Sequence, residues 1–142
     1  MRFEETICSI GFIGKGCPLV NQIADRGPGA VLRNGELMPG ATWFEDTRLN
    51  FAENLLRGTG SGPAIIARDE HGRRREVSWE QLRAEVARVA DGLRAAGIVA
   101  GDRVAGFLPN LPEAIVAMLA TTSLGATWSS CSPDFGIRGV LD

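Results

Sequence analysis

The sequence predicts an α/β fold: a partial parallel sheet with βαβ crossover helices, forming the front part of a larger domain. Three observations predict it. Residues from Arg103 to Cys131 read as strand, helix and strand at the spacing of one βαβ unit. The helix inside that unit, Glu113 to Leu124, is apolar nearly all round, as in helices that protein covers on every side. A second helix, from Ser78 to about Ala96, carries a start signal, a stop signal and one apolar face. Parallel sheets are normally covered by helices on both faces. The 142 residues hold two such helices and perhaps two parallel strands, so the expectation is a piece of something larger.

Residues 1–36 form an unassigned lead-in. Gly11, Gly14 and Gly16 alternate with apolar residues around Lys15, and Gly27-Pro28-Gly29 then breaks any regular element. The stretch IGFIGKGC has the glycines of a phosphate loop without the spacing of either glycine fingerprint. Residues 37–62 are aromatic and end in glycines. Trp43, Phe44, Leu49, Phe51, Leu55 and Leu56 are placed to clamp onto a larger body. Asn50 to Arg57 reads as one or two helical turns, and Gly58, Gly60 and Gly62 as a linker.

Periodicity sharpens over residues 63–142. Ala64 to Ala67 is a short apolar run, Asp69-Glu70-His71-Gly72 a polar turn, and Arg73 to Val77 a return strand, which together predict a hairpin. Ser78 with Gln81 three residues on is a capping box. The helix behind it sets Leu82, Val86, Val89 and Leu93 on one face, and Gly97 supplies a left-handed stop. Gly101-Asp102 predicts a turn and Arg103 to Leu108 a strand. Pro112 and Glu113 suit the first turn of the next helix. Gly125 ends that helix, Ala126 to Cys131 is a further strand, and another helix begins near Arg138.

Composition excludes several function classes. With 17 acidic against 15 basic side chains and a net charge of -2, the chain lacks the basic surplus that nucleic-acid binding needs. No apolar run approaches the ~20 residues that span a bilayer, and no secretory leader is legible at the start. Cys8, Cys17 and Cys131 are odd in number and lack metal-ligand spacing, so neither a disulfide framework nor a metal site is expected. A cytoplasmic location fits.

Catalytic groupings are scarce. His71 sits in the predicted hairpin turn and has no nucleophile to serve. Arg73-Arg74-Arg75 reads as a charged edge strand, and Cys131 as a buried small hydrophobe. One position carries a topological argument: the loop after the last strand, Ser132 to Gly136. Ligands gather beyond the carboxyl ends of strands in open α/β sheets.

Several segments resemble one family in order and spacing. VSWEQL (Val77–Leu82) looks like the first core motif of acyl-adenylate-forming enzymes, and LATTSLGATWSSCSPD (Leu119–Asp134) resembles their second. MPGATWF, LNFAENLL and WSSCSPDFG together resemble the amino-terminal part of the acetoacetyl-CoA synthetase family. The resemblance covers about residues 37–142 and leaves 1–36 unmatched. It implies that residues 63–142 begin the AMP-binding, adenylate-forming domain, and that 37–62 are the clamp and linker before it.

The resemblance also implies a reaction. Acetoacetate would be activated with ATP as an acyl-adenylate and transferred to coenzyme A, with Mg²⁺ screening phosphate charge. By position, the family's coenzyme A nucleotide loop aligns with Ser132, Pro133 and Asp134, although the residue types differ. No catalytic residue and no metal ligand carries over; Lys15, the sole lysine, lies outside the match. The chain alone is expected to be inactive and prone to self-association. Two rivals stay open: a free-standing nucleotide- or coenzyme A-binding module, and an interaction module that docks on a partner chain through helix 113–124.

Overall fold

The computed structural model describes residues 27–141, which fall into two compact units, one ending at Leu49 and the other starting at Asn50. The IGFIGKGC stretch, Lys15, Cys8 and Cys17 lie outside the described residues.

In the first unit, β1 (Leu32–Arg33) pairs antiparallel with β2 (Thr42–Trp43), Leu32 opposite Trp43. Asn34, at φ 54°, takes the left-handed conformation that its short polar side chain tolerates. The Phe44 amide donates to the Val31 carbonyl at 2.9 Å, and Arg33 pairs with Glu45 at 3.2 Å. Gly27 and Gly29 lie so close to Asp46 that a Cβ at either would overlap it. Trp43 stands exposed.

The second unit opens with α1 (Phe51–Leu55). Asn50 caps it by accepting from the Glu53 amide at 3.1 Å, and Ala52 is fully buried. Phe51 and Leu55 are exposed, while Leu56 packs on the core. The expected hairpin forms from β3 (Ile65–Arg68) and β4 (Arg74–Val77), with Ile65 opposite Val77 and Arg68 opposite Arg74. In its turn Asp69 Oδ1 accepts from the amides of His71 and Arg73. Gly72 supplies the positive φ.

Helix α2 (Trp79–Ala95) has both signals read from the sequence. Ser78 Oγ accepts from the Gln81 amide at 3.1 Å, and Gln81 Oε1 accepts from the Ser78 amide at 2.9 Å. At the other end the Ile98 amide reaches the Leu93 carbonyl and the Gly97 amide the Arg94 carbonyl, with Gly97 at φ 88°. That is a Schellman close. Leu82 and Val86 are buried as expected, whereas Val89 and Leu93 are only partly covered and Ala90 takes the third buried place. The buried positions follow one i, i+4 ridge, and the small alanine lets a neighbouring helix approach there.

β5 (Arg103–Phe107), α3 (Pro112–Ser123) and β6 (Thr127–Cys131) form the βαβ unit, and the two strands pair in parallel, Arg103 opposite Thr127 and Phe107 opposite Cys131. Proline at the first turn of α3 stands where an amide would have no helical partner. Only Glu113 of this helix is exposed; Pro112, Val116, Leu119, Ala120 and Thr121 are buried and the rest are half-covered. The coverage is thus one-sided, short of the all-round cover the apolar sequence predicts, because the parallel sheet has two strands among the described residues. A short helix, α4 (Ile137–Leu141), follows β6. The core draws Ala52 from α1, Val77 from β4, Leu82, Val86 and Ala90 from α2, and Val116, Leu119 and Ala120 from α3.

Candidate functional site

The βαβ unit decides where a ligand could gather. Its two strands run in parallel and end together at Phe107 and Cys131, so the segments after them lie at the carboxyl edge of the sheet. The first runs from Leu108 to Leu111 into α3, and the second is Ser132 to Gly136, leading into α4. Gly106 keeps this edge thin. A Cβ there would overlap the Trp128 indole, which lies across the strand from β6.

The three residues singled out from the sequence sit side by side in one turn. Ser132 is half-buried, while Pro133 and Asp134 are exposed. The Ser132 hydroxyl donates to Asp134 Oδ2 at 2.8 Å, and its oxygen accepts from the Asp134 amide at 3.3 Å. The Phe135 amide closes the turn on the Ser132 carbonyl at 3.1 Å. The serine therefore holds the carboxylate against its own backbone. Sequence reading placed the loop but missed this lock, although Ser-x-Asp spacing is its local signal.

The three arginines of the hairpin have structural partners. Arg73 Nε meets Asp69 Oδ2 at 2.5 Å, Arg74 pairs with Glu76, and Arg75 Nη1 meets Glu113 Oε1 at 2.5 Å. Desolvation pushes the Asp69 carboxyl up, but hydrogen bonds from the Arg73 side chain and from the Arg73 and His71 amides outweigh it and hold the group below its ordinary range. The Arg75 guanidinium holds Glu113 low as well, with help from the glutamate's own amide. These are braces of a hairpin and of a helix start. A groove of about 260 Å³ beside the second pair has an apolar floor of Val77, Val89, Pro112 and Val116. Cys131 is a half-buried free thiol. Among the described residues no group of three or more His, Cys, Asp or Glu could hold a metal ion. Nor is any described helix long and apolar enough to cross a membrane.

Comparison with known proteins gives this geometry a family. The family model for AMP-binding enzyme matches residues 52–140, from α1 through α4. The chain belongs to the AMP-binding enzyme family. Within that family it is 56% identical over 126 residues to acetoacetyl-coenzyme A synthetase of Rhizobium meliloti (strain 1021), covering 89% of this chain and 19% of the relative. It is 49% identical over 102 residues to the acetoacetyl-CoA synthetase of Macaca fascicularis, covering 70% of this chain and 15% of that protein. The solved acetoacetyl-CoA synthetase from Streptomyces lividans aligns with a TM-score of 0.74 at 44% identity, covering 87% of this chain and 20% of that one. The chain thus spans a fifth or less of the length of these AMP-binding enzymes.

Proposed function

We propose that this chain supplies the opening part of the AMP-binding region of an acetoacetate–CoA ligase. A carboxylate is a poor electrophile. In the proposed reaction the acetoacetate carboxylate attacks the α-phosphorus of ATP and pyrophosphate leaves. The coenzyme A thiol then attacks the carbonyl of the resulting mixed anhydride, and AMP leaves. Within this scheme the present residues are scaffold and subsite. The β5–α3–β6 unit fixes the loop at the carboxyl edge, and Ser132, Pro133 and Asp134 contact the nucleotide part of coenzyme A. Mg²⁺ would screen phosphate charge in such chemistry; the described residues offer it no ligand cluster, and none of their roles runs through it. We assign the enzyme to the cytoplasm.

The observation that carries this reading is the 56% identity to an acetoacetyl-coenzyme A synthetase across 89% of the chain. The test is replacement. Residues 52–140 are substituted for the matching segment of the Rhizobium meliloti enzyme, and acetoacetate-dependent AMP formation is measured with ATP and coenzyme A. Retained turnover with acetoacetate is expected. A chimera that folds but activates another acid, or none, would overturn the proposal. The 142-residue chain by itself is expected to release no pyrophosphate.

A further inference from the structure

We infer that Trp128 is a positioning residue: its indole ties the exit of β5 to the exit of β6 and so sets where the turn at Ser132 to Asp134 stands. For the ligand, the nucleotide part of coenzyme A, the inference rests on the ligase reading. The tie itself rests on contacts within the β5–β6 pair.

β6 reads Thr127-Trp128-Ser129-Ser130-Cys131, so Trp128 is its one large side chain. Val104 stands opposite Trp128, and Gly106 opposite Ser130. The indole nevertheless reaches Gly106. Its Cη2 and Cζ2 atoms crowd the place that a Cβ would take there, and Leu108 Cδ2 converges on the same place. The ring thus leans along the strands, from the row of Val104 towards the carboxyl edge. Leu108 is the first residue after β5, and Ser132 the first after β6. A side chain rooted four residues before one loop therefore packs where the other loop departs.

Two observations separate this role from ordinary core packing. Trp79 packs on the hydrophobic core, whereas Trp128 is not among the described side chains that do. Position 106, inside β5, is a glycine, which gives up side-chain packing of its own and suits a site that another group approaches closely. The indole is that group. Trp128 serves the edge of the sheet, and its contact fixes the spacing between the two segments that leave it.

The test has two arms. In the first, the 142-residue chain is followed by amide exchange. Trp128→Ala should speed exchange about fivefold or more at the Asp134 and Phe135 amides, both bonded to Ser132, and leave the Arg73 amide of the hairpin turn at its wild-type rate. Gly106→Ala should do the same by displacing the ring. Adding Trp128→Phe, which removes the ring atoms that crowd position 106, should restore protection. The second arm uses the Rhizobium meliloti chimera carrying residues 52–140. There Trp128→Ala should raise KM for coenzyme A about tenfold, while acetoacetate-dependent pyrophosphate–ATP exchange, which needs no coenzyme A, changes by less than about twofold. Loop amides indifferent to both variants, protection lost equally along the whole chain, or equal losses in the two half-reactions would overturn the inference. A parent chimera without acetoacetate turnover would overturn the ligase reading instead, and the amide arm would still decide whether Trp128 positions the turn.

Discussion

Asn50 and Ser123, 73 residues apart, are joined by a hydrogen bond of 3.0 Å from the asparagine Nδ2 to the serine carbonyl. The same side chain accepts from the Glu53 amide through Oδ1, so one residue caps the start of α1 and satisfies a carbonyl at the end of α3. Helix ends leave such groups without helical partners, and here a single amide serves two ends at once.

The two halves of that side chain separate by mutation. Asn50→Asp keeps the cap acceptor and replaces the donor with a carboxylate facing a carbonyl; Asn50→Ala removes both. Each should lower unfolding stability by about 1–2 kcal/mol in urea titration. Asn50→Asp equal to wild type would show that the Ser123 contact contributes nothing.

Thr121 is fully buried on α3, and its Oγ1 lacks a hydrogen-bond partner. A buried hydroxyl without a partner is costly, and a methyl of similar size removes that cost. Thr121→Val should be neutral or stabilising by up to about 1 kcal/mol. A clear loss of stability in the same titration would mean that the hydroxyl is bonded in solution.

Two glycines in regular elements should respond in opposite directions to alanine. Gly92 lies inside α2 with open space around its missing Cβ, so Gly92→Ala should stabilise by about 0.5–1 kcal/mol. Gly106 sits under Trp128 and Leu108, and Gly106→Ala should destabilise by about 1–3 kcal/mol. Thermal melts of the pair check the sign of each.

The Arg75–Glu113 brace predicts a pH dependence. The Arg75 guanidinium holds the folded Glu113 carboxyl below its ordinary range, so its contribution is present above that range and disappears as pH falls through the lower, folded value. Both side chains are more than half exposed, which limits the effect to about 0.5 kcal/mol or less at moderate salt. The gap between wild type and Glu113→Gln should therefore be measurable at pH 7 in low salt and shrink as acid protonates the folded carboxylate.

If the loop after β6 meets the phosphates of coenzyme A, removing its charge should help. Asp134→Asn is expected to tighten coenzyme A binding about threefold by calorimetry, and less at high salt. Unchanged affinity would move the nucleotide away from this turn.

Much of this chain was legible because its signals are local. The Ser78–Gln81 box, the Gly97 stop, the Asp69–Gly72 turn and Pro112 at a helix start each act within a few residues, and each formed where the sequence placed it. The strand–helix–strand spacing likewise fixed a parallel pair, because parallel strands need a crossover. Which residue of α2 fills the third core position was not legible. Val89 and Ala90 both lie near the apolar stripe, and only the approach of the neighbouring helix selected the smaller one. The Ser132–Asp134 lock had a weak local signal; the Asn50–Ser123 link had none.

The sequence by itself determined the elements from α1 onward, their order and the loop at the carboxyl edge of β6, since these follow from periodicity, caps and turn residues; the β1–β2 pair was not read from it. Tertiary structure alone decided that Asn50 ties α1 to α3 and that Arg75 is engaged by Glu113. Contacts between residues far apart in the chain depend on how elements pack, and packing geometry leaves no periodic trace in either segment.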